Sequence, residues 1–222
     1  MRPALRLVLL KARAQPTPPP GGGGGGGGGP VQLDAATKPS AVTLSGSPLL
    51  VATRDGTDDA SALVRATVGI TIGSGSKARF EVQYTVAAGA EQVGQVPSTY
   101  AGTGDSGWGG YPTNATNKGW MQDIDGYAYA PNADGVGYHF TNGGPGSAGT
   151  WRGIEIDPVA KTMQIVLGTG TVSSTLDLSS LNGQVLYPAA GITKAGQVVT
   201  FNFGATSFVT TVASGYGAWP TS

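Results

Sequence analysis

The sequence contains no cysteine and a single histidine, His139, among its 222 residues. Without cysteine the chain can form neither disulfide bonds nor thiolate metal sites, so its core must be stabilised by packing alone. A single histidine also excludes a histidine-rich metal cluster within one molecule. We therefore predict a protein with no bound metal and no cofactor.

Charged side chains are also scarce, since only 12% of the residues are Asp, Glu, Lys or Arg. Four basic residues and no acidic one fall within the first fourteen positions, which leaves the remainder with 9 basic and 13 acidic residues. A groove that follows phosphates needs clustered Lys and Arg side chains. We therefore predict neither a nucleic acid nor a membrane as partner.

Helical periodicity is the third absence. Beyond the first dozen residues, no window keeps apolar residues at helical spacing for three turns. Glycine is abundant instead, with 38 residues, and it is accompanied by many Thr, Val, Ala and Ser residues. This mixture suits short strands joined by tight turns. We predict a single all-β domain over residues 31–222.

Alternation of apolar and polar residues predicts the strands of this domain. The clearest is residues 77–86, where Phe80, Val82 and Tyr84 alternate with polar side chains, which predicts one buried face and one solvated face. Trp219 is expected to cover one end of the core. Further strands are predicted at residues 41–44, 49–53, 62–72, 154–156, 163–167, 186–192, 197–204 and 207–213.

Four segments carry a family resemblance. They are the apolar-Asp turn of Ile154 to Asp157, the segment Leu186 to Ala189, the strand Val199 to Gly204 followed by Phe208, and the Gly-Ser-Lys turn before Phe80. Their order resembles that of a SPRY domain, a concanavalin-like β-sandwich. The resemblance implies an antiparallel sandwich of jelly-roll type that binds ligands through loops on one rim, and it implies no catalytic site.

Residues 1–15 form a basic and apolar peptide, which we interpret as an arm that docks on a partner. Its apolar residues fit one stripe of a helix, while Leu5, Leu7 and Leu9 equally fit one face of a strand. An alternative is a secretory signal with an Ala12-Arg13-Ala14 cleavage site, but Arg6 interrupts the short apolar run. The predicted anchoring residues are Arg2, Leu5, Arg6, Val8, Leu9, Lys11 and Arg13.

Residues 16–30 form a spacer that contains a proline-rich run, nine consecutive glycines and Pro30. Proline favours polyproline II, and glycine adopts the same helix without side-chain clashes. Fully extended, the spacer reaches roughly 45 Å. Bare glycine backbones allow close packing against parallel copies or a partner protein, which favours a homo-oligomer such as a trimer. A plain flexible linker is the alternative interpretation.

Aromatic residues accumulate between residues 91 and 146 among Gly, Asn and Asp. Aromatic rings stack on the apolar face of a sugar, and amides and carboxylates bond its hydroxyls. Packing beneath the loops is the alternative role, especially for the tyrosines in strand-like runs. The candidate ligand-binding residues are Trp108, Tyr111, Trp120, Asp123 and Asp125.

The spacing of residues in the sequence predicts no catalytic or metal-binding role for the acidic residues or for His139. Asp123-Ile124-Asp125-Gly126 has the spacing of the start of a calcium loop, but the twelfth position is Asp134 rather than glutamate. An aspartate-capped turn explains it as well. His139 has no recognisable nucleophile or acid partner, and no carboxylate pair stands out for glycosidase chemistry. We predict that the chain is not an enzyme.

These features together predict a structural protein of a bacteriophage particle, in the capsid or in a tail appendage, fibre or decoration. Residues 1–30 would bind other virion proteins, and the sandwich would be displayed to bind a glycan or protein of the host surface. The alternative is a secreted or surface-anchored bacterial carbohydrate-binding module.

Overall fold

A computed structural model describes residues 30–56, 62–86, 91–98, 120–123, 128–129, 148–168 and 175–221. These residues form two antiparallel sheets that face each other across one core, joined by turns and one short 3-10 helix, Ser179–Leu181. No helix within these ranges is long and apolar enough to cross a membrane. The predicted all-β antiparallel sandwich is confirmed.

The larger sheet is built around strand β5, Ala78–Val86. Its strand order is β1-β2-β13-β5-β9-β10-β11, and the short β14 adds to β5 in parallel. Asp157 ends β9 and Pro158 begins the turn that leads to β10, at the place that the sequence predicts. The other strands of this sheet are β1 Val42–Ser45, β2 Val51–Arg54, β9 Trp151–Asp157, β10 Thr162–Leu167, β11 Leu176–Asp177, β13 Val198–Asn202 and β14 Gly217–Ala218.

The smaller sheet is built around β12, Val185–Ile192, and its strand order is β3-β12-β6-β7-β8 with β4 also paired to β12. Its other strands are β3 Leu63–Arg65, β4 Ile70–Thr71, β6 Glu91–Pro97, β7 Trp120–Asp123 and β8 Ala128–Tyr129. The single strand predicted over residues 62–72 is wrong, because the chain leaves the ladder between β3 and β4. β12 has Pro188 at this point, and proline cannot donate a ladder hydrogen bond.

An aromatic cluster fills one end of the core between the sheets. Trp219 packs edge-on against Phe80 with ring centres 5.3 Å apart, and Phe201 lies 5.5 Å from Phe203. Trp219 is buried, and its indole N–H donates to the carbonyl of Val68 at 2.9 Å. The prediction that Trp219 covers the core is confirmed.

Tyr84 ties the two sheets together. Its side chain projects from β5 of the larger sheet, and its hydroxyl contacts the backbone carbonyls of Gln92 and Gly191 on two strands of the smaller sheet. Buried polar groups are nearly always hydrogen-bonded, and this hydroxyl meets that requirement by bonding across the core to the facing sheet. The contact fixes how the sheets stack at this end.

Two further strand predictions fail for one reason. Residues 207–213 form no strand, and the outer face of β5 is solvated only towards its end, because Arg79 and Glu81 are completely buried whereas Thr85 is exposed. The segment 207–213 lies over these two side chains, and its amide groups bond to carboxylates instead of to a neighbouring strand.

Candidate binding surface

Three charged residues occupy the outer face of the larger sheet. Arg79 on β5 stands directly opposite Glu155 on β9, and Glu81 follows two positions along β5 on the same face. The guanidinium of Arg79 bonds both carboxylates, with Nη1 to Glu155 Oε1 at 2.5 Å and Nη2 to Glu81 Oε1 at 3.0 Å. All three side chains are fully shielded from solvent.

Gly153 makes room for this cluster. It lies on β9 opposite Glu81, and a Cβ at this position would come within 2.6 Å of Arg79 Cζ and 2.8 Å of Thr210 Oγ1. Contacts of this length force neighbouring atoms to move. Because Gly153 has no side chain, the guanidinium of Arg79 can lie over β9 at this position.

A segment that we call the strap, residues 205–214, covers the three charged side chains. Its amides of Val209 and Thr210 donate to the two oxygens of Glu81 at 2.9 and 2.8 Å. Further along, the amide of Ala213 donates to Glu155 Oε1 at 2.9 Å. Because charged acceptors make hydrogen bonds roughly twice as strong as neutral ones, the strap is held without belonging to a sheet.

Side chains complete this attachment. The hydroxyl of Thr210 donates to Glu81 Oε1 at 2.8 Å and accepts from Arg79, while Arg79 Nη1 also donates to the carbonyl of Thr211 at 2.7 Å. The ring of Phe208 lies 5.1 Å from the guanidinium carbon, within cation–π range. The strap thus satisfies most of the hydrogen-bonding capacity of a buried cluster that carries one net negative charge.

The outward surface of the strap is uncharged, and it presents two valines among exposed Thr and Ser side chains. Val209 is 63% exposed and Val212 is 38% exposed, although both are large hydrophobic residues. The sequence has no Asp, Glu, Lys, Arg or His from residue 195 to residue 222. The strap therefore displays valine side chains over charges that it hides completely.

A cleft of about 560 Å³ adjoins the end of the strap. Lys77 and Asp157 form an ion pair of 3.0 Å in its wall, and the ammonium of Lys77 also lies 5.3 Å from the ring centre of Tyr216. The wall also contains Val159, which is 62% exposed. The lining residues are Gly75, Ser76, Lys77, Asp157, Val159, Ala160, Ser214 and Gly215.

The electrostatics of this cleft follow from its contacts. The backbone N–H of Ala160 and the ammonium of Lys77 lower the pKa of Asp157 below its usual value. The hydrogen bond with Asp157 raises the pKa of Lys77 in turn. Burial raises the pKa of the Tyr216 phenol. At neutral pH both members of the pair are therefore charged.

The structure tests few of the predicted site residues. Trp108, Tyr111 and Asp125 lie outside the described residues, as do the anchoring residues of the arm. The backbones of Trp120 and Asp123 occupy the two ends of β7, opposite Gln95 and Gln92 respectively. Their role as ligand-binding residues stays a prediction.

Within the described ranges, no group of three or more His, Cys, Asp and Glu side chains is placed to hold a metal ion. No empty site lies between the buried carboxylates of Glu81 and Glu155, because Arg79 and the amides of the strap occupy the positions around them. The cluster therefore resembles a structural fastening more than a reactive centre.

The strap itself was not predicted from the sequence as a surface. One signal points to it in retrospect, a stretch of 28 residues without charge that follows Lys194. Charged residues in a strand need partners, and only the fold brings residues 205–214 above them.

No protein-family model and no curated protein matches this chain. Solved structures do match it. The SPRY domain of human HERC1 aligns with a TM-score of 0.58 at 11% identity, over 79% of this chain and 99% of that domain. The fold is that of a SPRY domain. A human SPRY domain aligns at 0.51 with 23% identity, over 76% of this chain and 98% of that one.

Two further solved structures support the same fold. The PSpry domain of TRIM65 aligns with a TM-score of 0.54 at 13% identity, over 77% of this chain and 90% of that domain. Stonustoxin aligns at 0.54 with 16% identity, over 78% of this chain and 28% of the toxin chain. The SPRY-like architecture that the sequence suggests is therefore confirmed, and at these identities the likeness concerns the fold alone.

Proposed function

We propose that this chain is a non-enzymatic binding domain, in which a SPRY-like sandwich presents a fixed surface to a protein partner. The observation that carries the proposal is the strap. Buried Arg79, Glu81 and Glu155 all hold a backbone segment on which the side chains of Val209 and Val212 remain exposed. A surface that is ordered before binding loses less entropy when a partner arrives.

We propose further that the domain belongs to a bacteriophage particle and is held there through residues 1–30. The apolar and basic peptide, the long glycine spacer and the low charge of the body support this assignment. Parallel copies of the chain would pack their glycine runs together as a homo-oligomer. The displayed sandwich would then contact a glycan or protein of the host surface.

Deletion of residues 1–15 tests the particle assignment. The truncated sandwich should keep its thermal transition but disappear from purified particles, measured by quantitative immunoblotting of particle fractions. A matched control is the replacement of the exposed Val86 by Thr, which should leave incorporation unchanged. Particles that retain the truncated chain would contradict the assignment.

N-terminal sequencing of the protein from its natural source separates this proposal from the alternative of a secreted carbohydrate-binding module. Attachment to a particle through residues 1–15 requires the complete arm. A mature chain that begins near Gln15 would instead show a cleaved signal and would contradict the docking role of Arg2, Leu5 and Leu9.

A glycan array tests the ligand-binding residues. Binding that is lost in Trp108→Ala but retained in Val86→Thr would support a host-glycan receptor role for the loop aromatic residues. If the unmodified chain binds no glycan on the array, a host-surface glycan is contradicted as the ligand, and protein binding through the strap remains the proposed function.

A further inference from the structure

We propose that the outer surface of the strap, residues 205–214, is a site of self-association at which two copies of this chain pair. The proposal rests on the proposed binding function and names the partner of the strap. It starts from the exposed valines Val209 and Val212, which project from a segment whose amides are fastened to Glu81 and Glu155.

The exposed apolar residues concentrate along the strap. The described chain has four large hydrophobic residues that are at least 38% exposed, namely Val86, Val159, Val209 and Val212. Val209 and Val212 lie on the strap, and Val159 lines the cleft together with Ser214 at the end of the strap. Only Val86 lies elsewhere, at the far end of β5. Scattered exposed valines are ordinary, whereas a line of them marks a contact surface.

The strap crosses the sheet in a definite direction. Its attachment at residues 209 and 210 is to β5, through Glu81, and its attachment at Ala213 is to β9, through Glu155. It then reaches the turn that follows β9. Val209 and Val212 therefore lie on one path across neighbouring strands, and this path ends at the cleft that contains Val159 and the Lys77–Asp157 ion pair.

The absence of charge on the strap favours a second copy of this chain as the partner. In a two-fold symmetric contact each surface meets its own copy, so a charged patch faces charge of the same sign unless opposite charges alternate within it. The strap has no charged residue, and the charges beneath it are fully buried. An uncharged surface is complementary to itself without any pairing.

The size of the strap determines how tightly two copies are expected to bind each other. Ten extended residues span at most about 35 Å. A contact of that length and a few strands in width covers roughly half of the 800 Å² or so that each partner buries in a standard interface. We therefore expect a weak dimer that forms at micromolar concentrations or above, and that gains strength where many copies are held close together.

Sedimentation analysis of the full chain, from about 1 µM to about 1 mM, tests the proposal. The unmodified protein should pass from monomer to dimer within this range. The double variant Val209→Lys, Val212→Lys should remain monomeric over at least a tenfold wider range, because two lysine pairs would face each other. Val86→Lys is the matched control, with the same substitution on an exposed valine away from the strap, and it should dimerise normally.

Mixing two charge variants makes the test independent of folding defects. The partner variant is Val209→Glu, Val212→Glu, which should also be monomeric alone because of like-charge repulsion. An equimolar mixture of the Lys and Glu variants should restore dimers, because opposite charges then face each other. Monomers of the unmodified chain at every concentration, dimers unaffected by the Lys variant, or a mixture without dimers would each overturn the proposal.

The test is separate from that of the proposed function. If the Lys variant stays on particles while its self-association is lost, the strap pairs copies and the arm anchors them. If the unmodified chain is monomeric but deletion of residues 1–15 still releases it from particles, self-pairing fails alone. If that deletion leaves the chain on particles while the strap variants behave as expected, the particle assignment fails alone.

Discussion

In the first half of β5, residues 78–82, both faces of the strand are buried, but by different chemistry. Phe80 and Val82 on the inner face pack against other apolar side chains, whereas Arg79 and Glu81 on the outer face are covered by the strap and bond to it. The inner face is stabilised by removal of apolar surface from water, which needs no particular partner atoms. The outer face needs specific partners, because a buried charge without them is very unfavourable. The comparison teaches that burial alone does not tell which kind of constraint a residue is under.

The substitution Arg79→Met is expected to have the largest effect. It disrupts the charged cluster on the outer face of β5 and leaves the apolar residues of the inner face unchanged. It removes the cation between two buried carboxylates, and such a loss costs about 3–5 kcal/mol. We expect this decrease in the free energy of unfolding, measured by urea denaturation. Hydrogen exchange at the amides of Val209 and Ala213 should rise before global unfolding, because the strap loosens first.

Lys77→Met serves as the control for Arg79→Met, because Lys77 lies two positions earlier in the chain but is exposed. The free energy of unfolding of the Lys77→Met variant should stay close to that of the unmodified chain. If Arg79→Met were as stable as Lys77→Met, the outer cluster would not hold the strap in place.

Gly153→Ala should have a smaller effect on the same face. The added methyl group meets the guanidinium carbon at 2.6 Å and Thr210 Oγ1 at 2.8 Å, so the cluster must shift. Overpacking of this kind costs about 1–3 kcal/mol. The matched control is Gly217→Ala on β14, where no atom lies within 4 Å of the added methyl group. Equal stability of the two variants in thermal unfolding would contradict the packing described here.

Gln95→Leu sharpens the comparison, because Gln95 is a polar residue that is buried without the partners that the outer cluster has. Its side chain is completely buried, and neither amide atom has a hydrogen-bond partner in the described structure. An unsatisfied buried group costs about 1–3 kcal/mol, so an apolar replacement should raise the free energy of unfolding by about 1 kcal/mol. Gln83→Leu is the control, since Gln83 donates to the carbonyl of Gly149 and should lose stability or stay unchanged.

The smallest effect concerns the exposed pair of Lys77 and Asp157. The pKa of Asp157 is lowered in the folded chain, so the pair adds stability above the unfolded pKa of an aspartate, and this stability is lost as the pH falls through the lower folded pKa. The difference in melting temperature between the unmodified chain and Asp157→Asn should therefore shrink in acid, below about pH 4. A difference that is constant from neutral pH into acid would show that Asp157 acts without its charge.

The inner face of the fold could be predicted from sequence because its signal is local. Phe80, Val82 and Tyr84 alternate within one strand, as do Val199, Phe201 and Phe203 near the end of the chain, and all six are buried. The turn at Asp157 and Pro158 also depends on neighbours in sequence. These features need no knowledge of distant partners.

The outer face could not be predicted in the same way. Arg79 and Glu81 look like ordinary solvated positions of a half-buried strand, and the residues that cover them are about 130 positions further along the chain. The pattern of residues 207–213 equally suits a strand, because Val209 and Thr211 favour extended structure. Only the fold shows that carboxylates replace the neighbouring strand. The candidate residues near Trp108 rest on composition, to which the described structure adds no test.

The strap is fastened mainly through its backbone. Of the contacts with Glu81, Glu155 and Arg79, those of the backbone amides of residues 209, 210 and 213 and of the carbonyl of residue 211 do not depend on the side chain. Only the hydroxyl of Thr210 and the ring of Phe208 make side-chain contacts with the cluster. The outward positions 209, 211 and 212 can therefore accept many different side chains without disturbing the sandwich. Such a segment can acquire a new partner by substitution at a few positions, which makes it a natural place for related chains to diverge and a practical site for grafting a designed recognition sequence.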